Sequence, residues 1–250
     1  MFHVVIPARY AATRLPGKPL ALIGGRPLIE WVWERARASG AASVTVATDD
    51  ERIREAVRAF GADCAMTRTT HASGTDRVAE VADQRKFADQ DIVVNVQGDE
   101  PLIEPQLVAD LAEALRQRTG FDIATAVAPV RSVEEFLDPN CVKAVRGIDG
   151  RALYFSRAPV PWPRDHSEAG RPASFGGAWR HIGIYAYRVR NLRQLSASEP
   201  TPLELTEKLE QLRALERGMS IYCLALAEAP PAGVDTPADL ERLRQRLGGA

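Results

Sequence analysis

Apolar residues in the first half of the chain form short continuous runs, and stretches with helical spacing separate these runs. Residues 4–6, 44–48 and 92–96 have the length and apolar content of buried strands. Helices are predicted between them, at 27–40 and at 53–60. Because strands that alternate with helices form right-handed βαβ units, the pattern predicts an α/β fold, in which a mostly parallel, Rossmann-like sheet carries helices on both faces.

The second half of the chain adds antiparallel structure. Apolar segments at 142–145 and 153–155 flank Asp149-Gly150, a turn signal of the type I′ kind, and together they predict a β-hairpin. We expect one domain over residues 1–250, with an antiparallel and loop insertion at about 130–190. Further predicted elements are a helix from about Val78, a helix at 105–118, strands at 123–130 and 180–187, and one helix whose apolar face holds Leu205, Leu209, Leu212 and Leu215.

Composition and charge narrow the class of protein. The formal net charge of −1 argues against a general binder of nucleic acid or of anionic membranes, so any anion binding must come from local clusters. The three cysteines are an odd number without a C-x-x-C motif, which indicates neither a disulfide framework nor a zinc site. There is no export signal and no apolar run near the ~18 residues that span a bilayer, so we expect a soluble, cytoplasmic protein.

A basic loop follows the first predicted strand. Arg9, Arg14 and Lys18 fall within ten residues, and Gly17 allows backbone to approach a ligand closely. A turn at the carboxyl end of a parallel strand is a common phosphate site, and three cations suit a triphosphate. A solvated basic loop is the alternative. A Walker A loop is excluded, because Pro19 follows Lys18 and the required glycine spacing is absent.

A second candidate site follows the central strand at 92–96. Asp99 stands at the carboxyl end of this strand, where a carboxylate can hold Mg²⁺ and nucleotide phosphates. The alternative is a turn aspartate after Gly98. Near the C-terminus, Thr236 and Asp239 are explained as helix-capping residues, but Asp235 lies outside that cap.

Several phrases of the sequence resemble one family. The loop Arg9-Tyr10-Ala11-Ala12-Thr13-Arg14-Leu15-Pro16-Gly17-Lys18-Pro19-Leu20 is similar to the nucleotide-binding loop of the sugar cytidylyltransferases, and most similar to that of the CMP-Kdo synthetase family. The other matching phrases are His71-Ala72-Ser73-Gly74-Thr75-Asp76-Arg77, Gln97-Gly98-Asp99-Glu100-Pro101, Arg180-His181-Ile182-Gly183-Ile184-Tyr185-Ala186-Tyr187, Leu209-Glu210-Gln211-Leu212-Arg213 and Gly233-Val234-Asp235.

The resemblance implies a fold, an activity and partners. It implies a nucleotidyltransferase fold like that of the type A glycosyltransferases, in a homodimer with the hairpin as a candidate interface. The implied reaction transfers CMP from CTP to the 2-hydroxyl of 3-deoxy-manno-octulosonate (Kdo), giving CMP-Kdo and pyrophosphate for lipopolysaccharide biosynthesis. Without a nucleophile–base pair in the sequence, such a reaction would depend on positioning and charge neutralisation. Mg²⁺ is the implied cofactor.

The resemblance also assigns roles to residues. The implied catalytic residues are Lys18, Arg14, Asp99 and Asp235, of which Asp99 and Asp235 are the metal ligands. The implied nucleotide-binding residues are Pro7, Ala8, Arg9, Arg14, Lys18, Ser73, Gly74, Arg77, Gln97 and Asp99. The implied sugar-binding residues are Gln97, Arg157, His181, Tyr185, Glu210 and Gln211.

Other interpretations stay open. Capping alone would explain Ser73, a buried histidine such as His181 is more often structural than catalytic, and the spacing of Glu210 and Gln211 indicates surface residues. The acceptor could instead be 8-amino Kdo or a sialic acid. A nucleotide-binding regulator without turnover is the alternative outside the enzymes, and the intact pair of Asp99 and Asp235 weighs against it.

Overall fold

The computed structural model describes residues 1–11, 15–164, 167–168, 171–172 and 175–247, with only the backbone for 167–168 and 171–172. The chain packs as two compact units. The first consists of Met1–Glu113, Ala186–Ser196 and Pro230–Ala250, and the second of Ala114–Tyr185 and Ala197–Ala229.

The first unit contains a parallel sheet in the order β6-β1-β4-β5. The strands of the first unit, inside and outside this sheet, are β1 (Phe2–Ala8), β2 (Leu22–Ile23), β3 (Arg26–Pro27), β4 (Ser43–Thr48), β5 (Asp63–Met66) and β6 (Ile92–Asn95). Its helices are α1 (Leu28–Arg37), α2 (Glu51–Ala59), α3 (Gly74–Gln84), most of α4 (Pro105–Gln117), α6 (Val189–Ser196) and α9 (Pro237–Leu247). β1, β4 and β6 are almost entirely buried, as a central strand covered on both faces must be.

The second unit combines parallel and antiparallel pairs. β13 pairs in parallel with β7, while β8 pairs in antiparallel with both β9 and β12. Its elements are β7 (Ile123–Pro129), α5 (Val133–Leu137), β8 (Lys143–Arg146), β9 (Ala152–Ser156), β10 (Ser167–Glu168), β11 (Arg171–Pro172), β12 (Trp179–Arg188, up to Tyr185), α7 (Pro202–Glu207), α8 (Glu210–Glu216) and β13 (Ile221–Ala225).

The predicted fold class is confirmed: the chain is α/β with mostly parallel strands flanked by helices. The hairpin is present as β8 and β9, while its part in a dimer and the prediction of a single domain stay predictions. The prediction of one helix with a face of leucines is wrong. The structure has α7 and α8 there, separated by Lys208 in the left-handed conformation with φ 53°.

None of the helices in the described ranges combines the length and the apolar character that crossing a bilayer requires.

Candidate active site

Tyr10 and Gly17 meet after β1, just before a short 3-10 helix, Lys18–Leu20. Gly17 has φ 70°, in the left-handed region that favours glycine, and its N–H donates to the Tyr10 carbonyl at 2.9 Å. A Cβ at Gly17 would lie 3.2 Å from the Tyr10 ring, so the turn also requires a small residue. This turn directs the Lys18 side chain, whereas Arg14 lies outside the described residues.

Lys18 connects the two predicted metal ligands. Its Nζ lies 2.6 Å from Asp99 Oδ2 and 3.3 Å from Asp235 Oδ1. The Lys18 side chain is 13% exposed, against 29% for Asp99 and 54% for Asp235. Two carboxylates that are 136 residues apart in the chain, 235 minus 99, therefore face one cation.

The backbone brings Asp235 to this position. The Val234 N–H donates to the Asp99 carbonyl at 2.8 Å, and a Cβ on Gly233 would meet that same carbonyl oxygen at 2.9 Å. Directly after Asp235, the Thr236 hydroxyl accepts from the Asp239 N–H while the Asp239 carboxylate accepts from the Thr236 N–H. This capping box begins α9, as predicted, and leaves the Asp235 side chain available to Lys18.

A pocket of about 220 Å³ opens beside Lys18, and we call it the β1–β6 pocket. Gly98 allows the backbone on the two sides of the pocket to pack closely, because a Cβ there would lie 2.7 Å from the Pro7 carbonyl oxygen. The pocket lies at the carboxyl ends of parallel strands, where sheet ligands bind. Its lining residues are Pro7, Ala8, Arg9, Ala11, Lys18, Pro19, Gly74, Gln97, Gly98 and Asp99.

Two further predicted nucleotide ligands have structural partners. Ser73 caps α3, since its hydroxyl accepts from the Asp76 N–H at 3.1 Å and the Asp76 carboxylate accepts from the Ser73 N–H. Arg77 is 1% exposed, and its guanidinium donates to Asp49 at 2.5 Å and to the Thr67 hydroxyl at 2.7 Å. Asp49 is thus the partner of a buried cation and not a helix cap. The cap of α2 is Asp50.

The sequence analysis did not predict the contacts that hold the Arg9 side chain. The Arg9 guanidinium donates to the His71 carbonyl at 3.2 Å, and the His71 imidazole is hydrogen-bonded to Glu80 on α3. Burial alone would raise the pKa of Glu80, but the Arg68 N–H and His71 pair with the carboxylate and the net effect lowers the pKa. Glu80 lies on a helix that the sequence predicted, but its pairing with a loop residue has no local sequence signal.

His181 and Tyr185 lie together in the second unit. Their ring centroids are 5.3 Å apart, and His181 also packs edge-on against Phe155. The Thr125 hydroxyl lies 3.0 Å from His181 Nε2. Burial lowers the pKa of His181 to about 3, so its imidazole is neutral at neutral pH.

Arg157, Glu210 and Gln211 also belong to the second unit. Arg157 Nε donates to the Glu207 carbonyl at 2.6 Å and Nη1 donates to the Pro139 carbonyl at 2.9 Å. Glu210 and Gln211 are the first two residues of α8, and Gln211 is only 8% exposed, in contrast to the surface position that its spacing indicated.

The donor set beside Lys18 fits Mg²⁺. Across the described ranges, no group of three or more His, Cys, Asp and Glu side chains is arranged to hold a metal ion. Asp99 and Asp235 do converge on one cation, the Lys18 ammonium. Mg²⁺ is usually held by one or two carboxylates together with waters and substrate phosphates, so the chemistry of these two side chains fits this ion.

Comparisons with known proteins show the family to which the chain belongs. A family model described as "Cytidylyltransferase" matches residues 3–221. The 3-deoxy-manno-octulosonate cytidylyltransferases of Thioalkalivibrio sulfidiphilus and Pseudomonas fluorescens are 51% and 54% identical to this chain, each over 98% of both chains. The structure of CMP:2-keto-3-deoxy-manno-octonic acid synthetase complexed with CTP has a TM-score of 0.89 at 44% identity and covers 99% of this chain and 98% of that one.

A more distant structure shows the fold alone. It is a cytidylyltransferase from Leptospira borgpetersenii, with a TM-score of 0.60 at 17% identity over 100% of this chain and 87% of that one. The family match and the two full-length relatives identify the chain: it belongs to the cytidylyltransferase family, among the 3-deoxy-manno-octulosonate cytidylyltransferases.

Proposed function

We propose that this protein transfers CMP from CTP to the 2-hydroxyl of Kdo, giving CMP-Kdo and pyrophosphate. The observation that carries the proposal is the Lys18 ammonium between Asp99 and Asp235 at the β1–β6 pocket. Such an arrangement suits phosphoryl-type transfer, in which the protein positions the reactants and neutralises charge. Relatives at 51% and 54% identity that bear the name of this activity support it.

The nucleotide would bind in the β1–β6 pocket. Lys18, Arg9 and the predicted Arg14 would pair with the triphosphate, and Lys18 would neutralise the pyrophosphate as it leaves. Backbone at Pro7 and Ala8, with Gln97, Ser73 and Gly74, would enclose the rest of the nucleotide. Arg77 would act on the phosphates through the packing of α3, because its guanidinium already pairs with Asp49.

Asp99 and Asp235 would hold Mg²⁺. When bound, the ion would neutralise phosphate charge and lower the pKa of the attacking hydroxyl. In the reaction the 2-hydroxyl oxygen forms a bond to the α-phosphorus of CTP and releases its proton to water. The bond from that phosphorus to the bridging oxygen breaks, so that pyrophosphate leaves with the electron pair. The chain's own contribution is to align the two reactants.

The sugar acid would bind to Arg157, His181, Tyr185, Glu210 and Gln211 of the second unit, and Gln97, in the first unit, stays a predicted sugar ligand. A guanidinium is suited to the sugar carboxylate, because its N–H groups can pair with both oxygens. His181 is neutral, so it would serve as a hydrogen-bonding partner for hydroxyl groups and not as a cation.

An assay of pyrophosphate release tests the proposal. We expect release from CTP with Kdo and Mg²⁺, little without Kdo, and little when Mg²⁺ is chelated. UTP, ATP and GTP replace CTP in parallel, and 8-amino Kdo and a sialic acid replace Kdo. Turnover preferring a sialic acid or 8-amino Kdo would reassign the acceptor, and CTP binding without turnover with any acceptor would indicate a regulator.

The setting of this activity is part of the proposal. CMP-Kdo formed here would supply lipopolysaccharide biosynthesis, and the enzyme would act in the cytoplasm as a homodimer. The hairpin of β8 and β9 is the proposed dimer surface, because it carries the exposed apolar side chains of Ile148 and Leu153.

A further inference from the structure

Glu207, the last residue of α7, binds the end of β9. Its Oε1 accepts from the Ser156 hydroxyl at 2.7 Å, and its Oε2 accepts from the Arg157 N–H at 2.9 Å. Ser156 is 2% exposed, so the hydroxyl side of this contact is shielded from water. One carboxylate therefore holds both the side chain before Arg157 and the backbone of Arg157 itself.

Arg157 binds Glu207 and its neighbour in return. Its Nε donates to the Glu207 carbonyl at 2.6 Å and its Nη2 donates to the Lys208 carbonyl at 3.4 Å. We call these reciprocal contacts among Ser156, Arg157, Glu207 and Lys208 the Glu207 clasp. Each terminal nitrogen of a guanidinium carries two N–H groups, so Arg157 can take part in the clasp and still offer donors to a carboxylate ligand.

The clasp lies where α7 ends and shortly before α8 begins. Lys208 has φ 53°, a left-handed conformation that a residue other than glycine adopts only when its surroundings hold it there. This turn separates α7 from α8 and brings Glu210 and Gln211 to the first turn of α8. Because Arg157 binds the carbonyls on both sides of the α7 end, Glu207 connects Arg157 to the segment that carries Glu210 and Gln211.

We propose that Glu207 is a positioning residue for the sugar acid. This inference rests on the proposed function. Glu207 does not itself touch the substrate. Through the clasp it keeps Arg157 in position relative to Glu210 and Gln211. Arg157 would bind the sugar carboxylate, and Glu210 and Gln211 would bind hydroxyl groups. All of these residues belong to the second unit, whereas the β1–β6 pocket belongs to the first.

Substitution of Glu207→Gln tests this proposal. The amide keeps the shape of the side chain but has only one oxygen. Its N–H₂ group would therefore face the Ser156 hydroxyl or the Arg157 N–H, both of which are donors. We expect the KM for Kdo to rise ten- to a hundredfold, while the KM for CTP and the kcat at saturating Kdo stay within threefold. The matched control is Thr206→Ala on the same helix, whose hydroxyl donates to the Pro202 carbonyl within α7. It should change none of these constants.

Each outcome decides the inference. A purely structural role would lower the melting temperature and the active fraction, so kcat would fall while both KM values stayed the same, and that result would overturn it. An unchanged KM for Kdo in a folded variant would also overturn it. If Glu207→Gln does not fold, Ser156→Ala decides, since it removes one donor to Glu207, together with the acceptor of the Ala158 N–H, and should raise the KM for Kdo three- to tenfold. Wild-type protein that makes no CMP-Kdo would instead refute the proposed function, independently of Glu207.

Discussion

At the residue scale, the site depends on one cation shared by two distant carboxylates. The resemblance named Asp99 and Asp235, and the structure places a carboxylate oxygen of each within 3.3 Å of the Lys18 ammonium. Local sequence could not indicate this convergence. The same limit hides the partner of Asp49, which is Arg77, 28 residues further along the chain.

Substitution of Asp99→Asn should remove turnover and leave the fold intact. An amide keeps the shape of Asp99 but loses the charge that Mg²⁺ and Lys18 require, so we expect kcat to fall by roughly 10²–10³-fold. Stability should change by less than about 1 kcal/mol, because the Asp99 pair with Lys18 is partly exposed. Pyrophosphate release and a thermal melt measure the two effects.

The control for that substitution is Asp110→Asn. Asp110 lies on α4 and accepts from Gln106 Nε2 within the same helix, at 2.7 Å. Its substitution makes the same chemical change away from Lys18 and should leave kcat unaltered. A near-normal rate in the Asp99 variant would end the assignment of Asp99 as a metal ligand.

At the scale of elements, sequence periodicity located most helices and strands but failed between α7 and α8. Leu205, Leu209 and Leu212 keep helical spacing across the break, which explains the prediction of one helix. In the structure Leu205 is 53% exposed while Leu209 and Leu212 are buried, so the three do not share one face. At the break, Glu207 pairs with Arg157, a contact across 50 residues that periodicity cannot report.

The segment before α9 offers a prediction at this scale. In Gly233→Ala, the new Cβ would lie 2.9 Å from the Asp99 carbonyl oxygen, closer than atoms can approach, so the segment must move away from Asp99. Asp235 would move with it and lose its contact with Lys18. We expect kcat to fall by at least about tenfold, because small displacements of catalytic groups have large effects on rate.

The comparison for that substitution is Gly120→Ala. A Cβ at Gly120 meets no atom within 4 Å, so this variant adds the same methyl group without a clash. It should keep full activity in the pyrophosphate assay. Equal activity of the two variants would show that the approach of Gly233 to Asp99 does not position Asp235.

At the scale of the whole molecule, the α/β class was predictable because alternating strands and helices leave a strong signal. The stability of the fold, in contrast, depends on buried groups whose surroundings the sequence does not reveal. His181 is the clearest case, since burial takes its pKa from 6.5 to about 3. The unfolded chain therefore binds a proton between these two pH values that the folded chain does not.

Acid should accordingly destabilise the protein. The contribution of neutral His181 is complete above pH about 6.5 and is lost as the pH falls toward 3, by up to about 1.4 kcal/mol per pH unit. Urea unfolding at pH 7, 6 and 5 measures the slope for the wild type and for His181→Asn, in which the titrating group is absent. The variant should show a flatter dependence on pH, and identical slopes would contradict neutral burial of His181.

The proposed homodimer gives a prediction for the molecule as a whole. Ile148 and Leu153 are 108% and 58% exposed on the hairpin of β8 and β9. A second copy of the chain that packed against the hairpin would remove these apolar side chains from water. We expect a mass of twice the 27.3 kDa chain by light scattering, and a shift toward one chain mass in Leu153→Lys. The control is Leu22→Lys on β2, where an apolar side chain is 55% exposed outside the hairpin. If Leu153→Lys stays dimeric, or if both variants dissociate equally, the hairpin is not the interface.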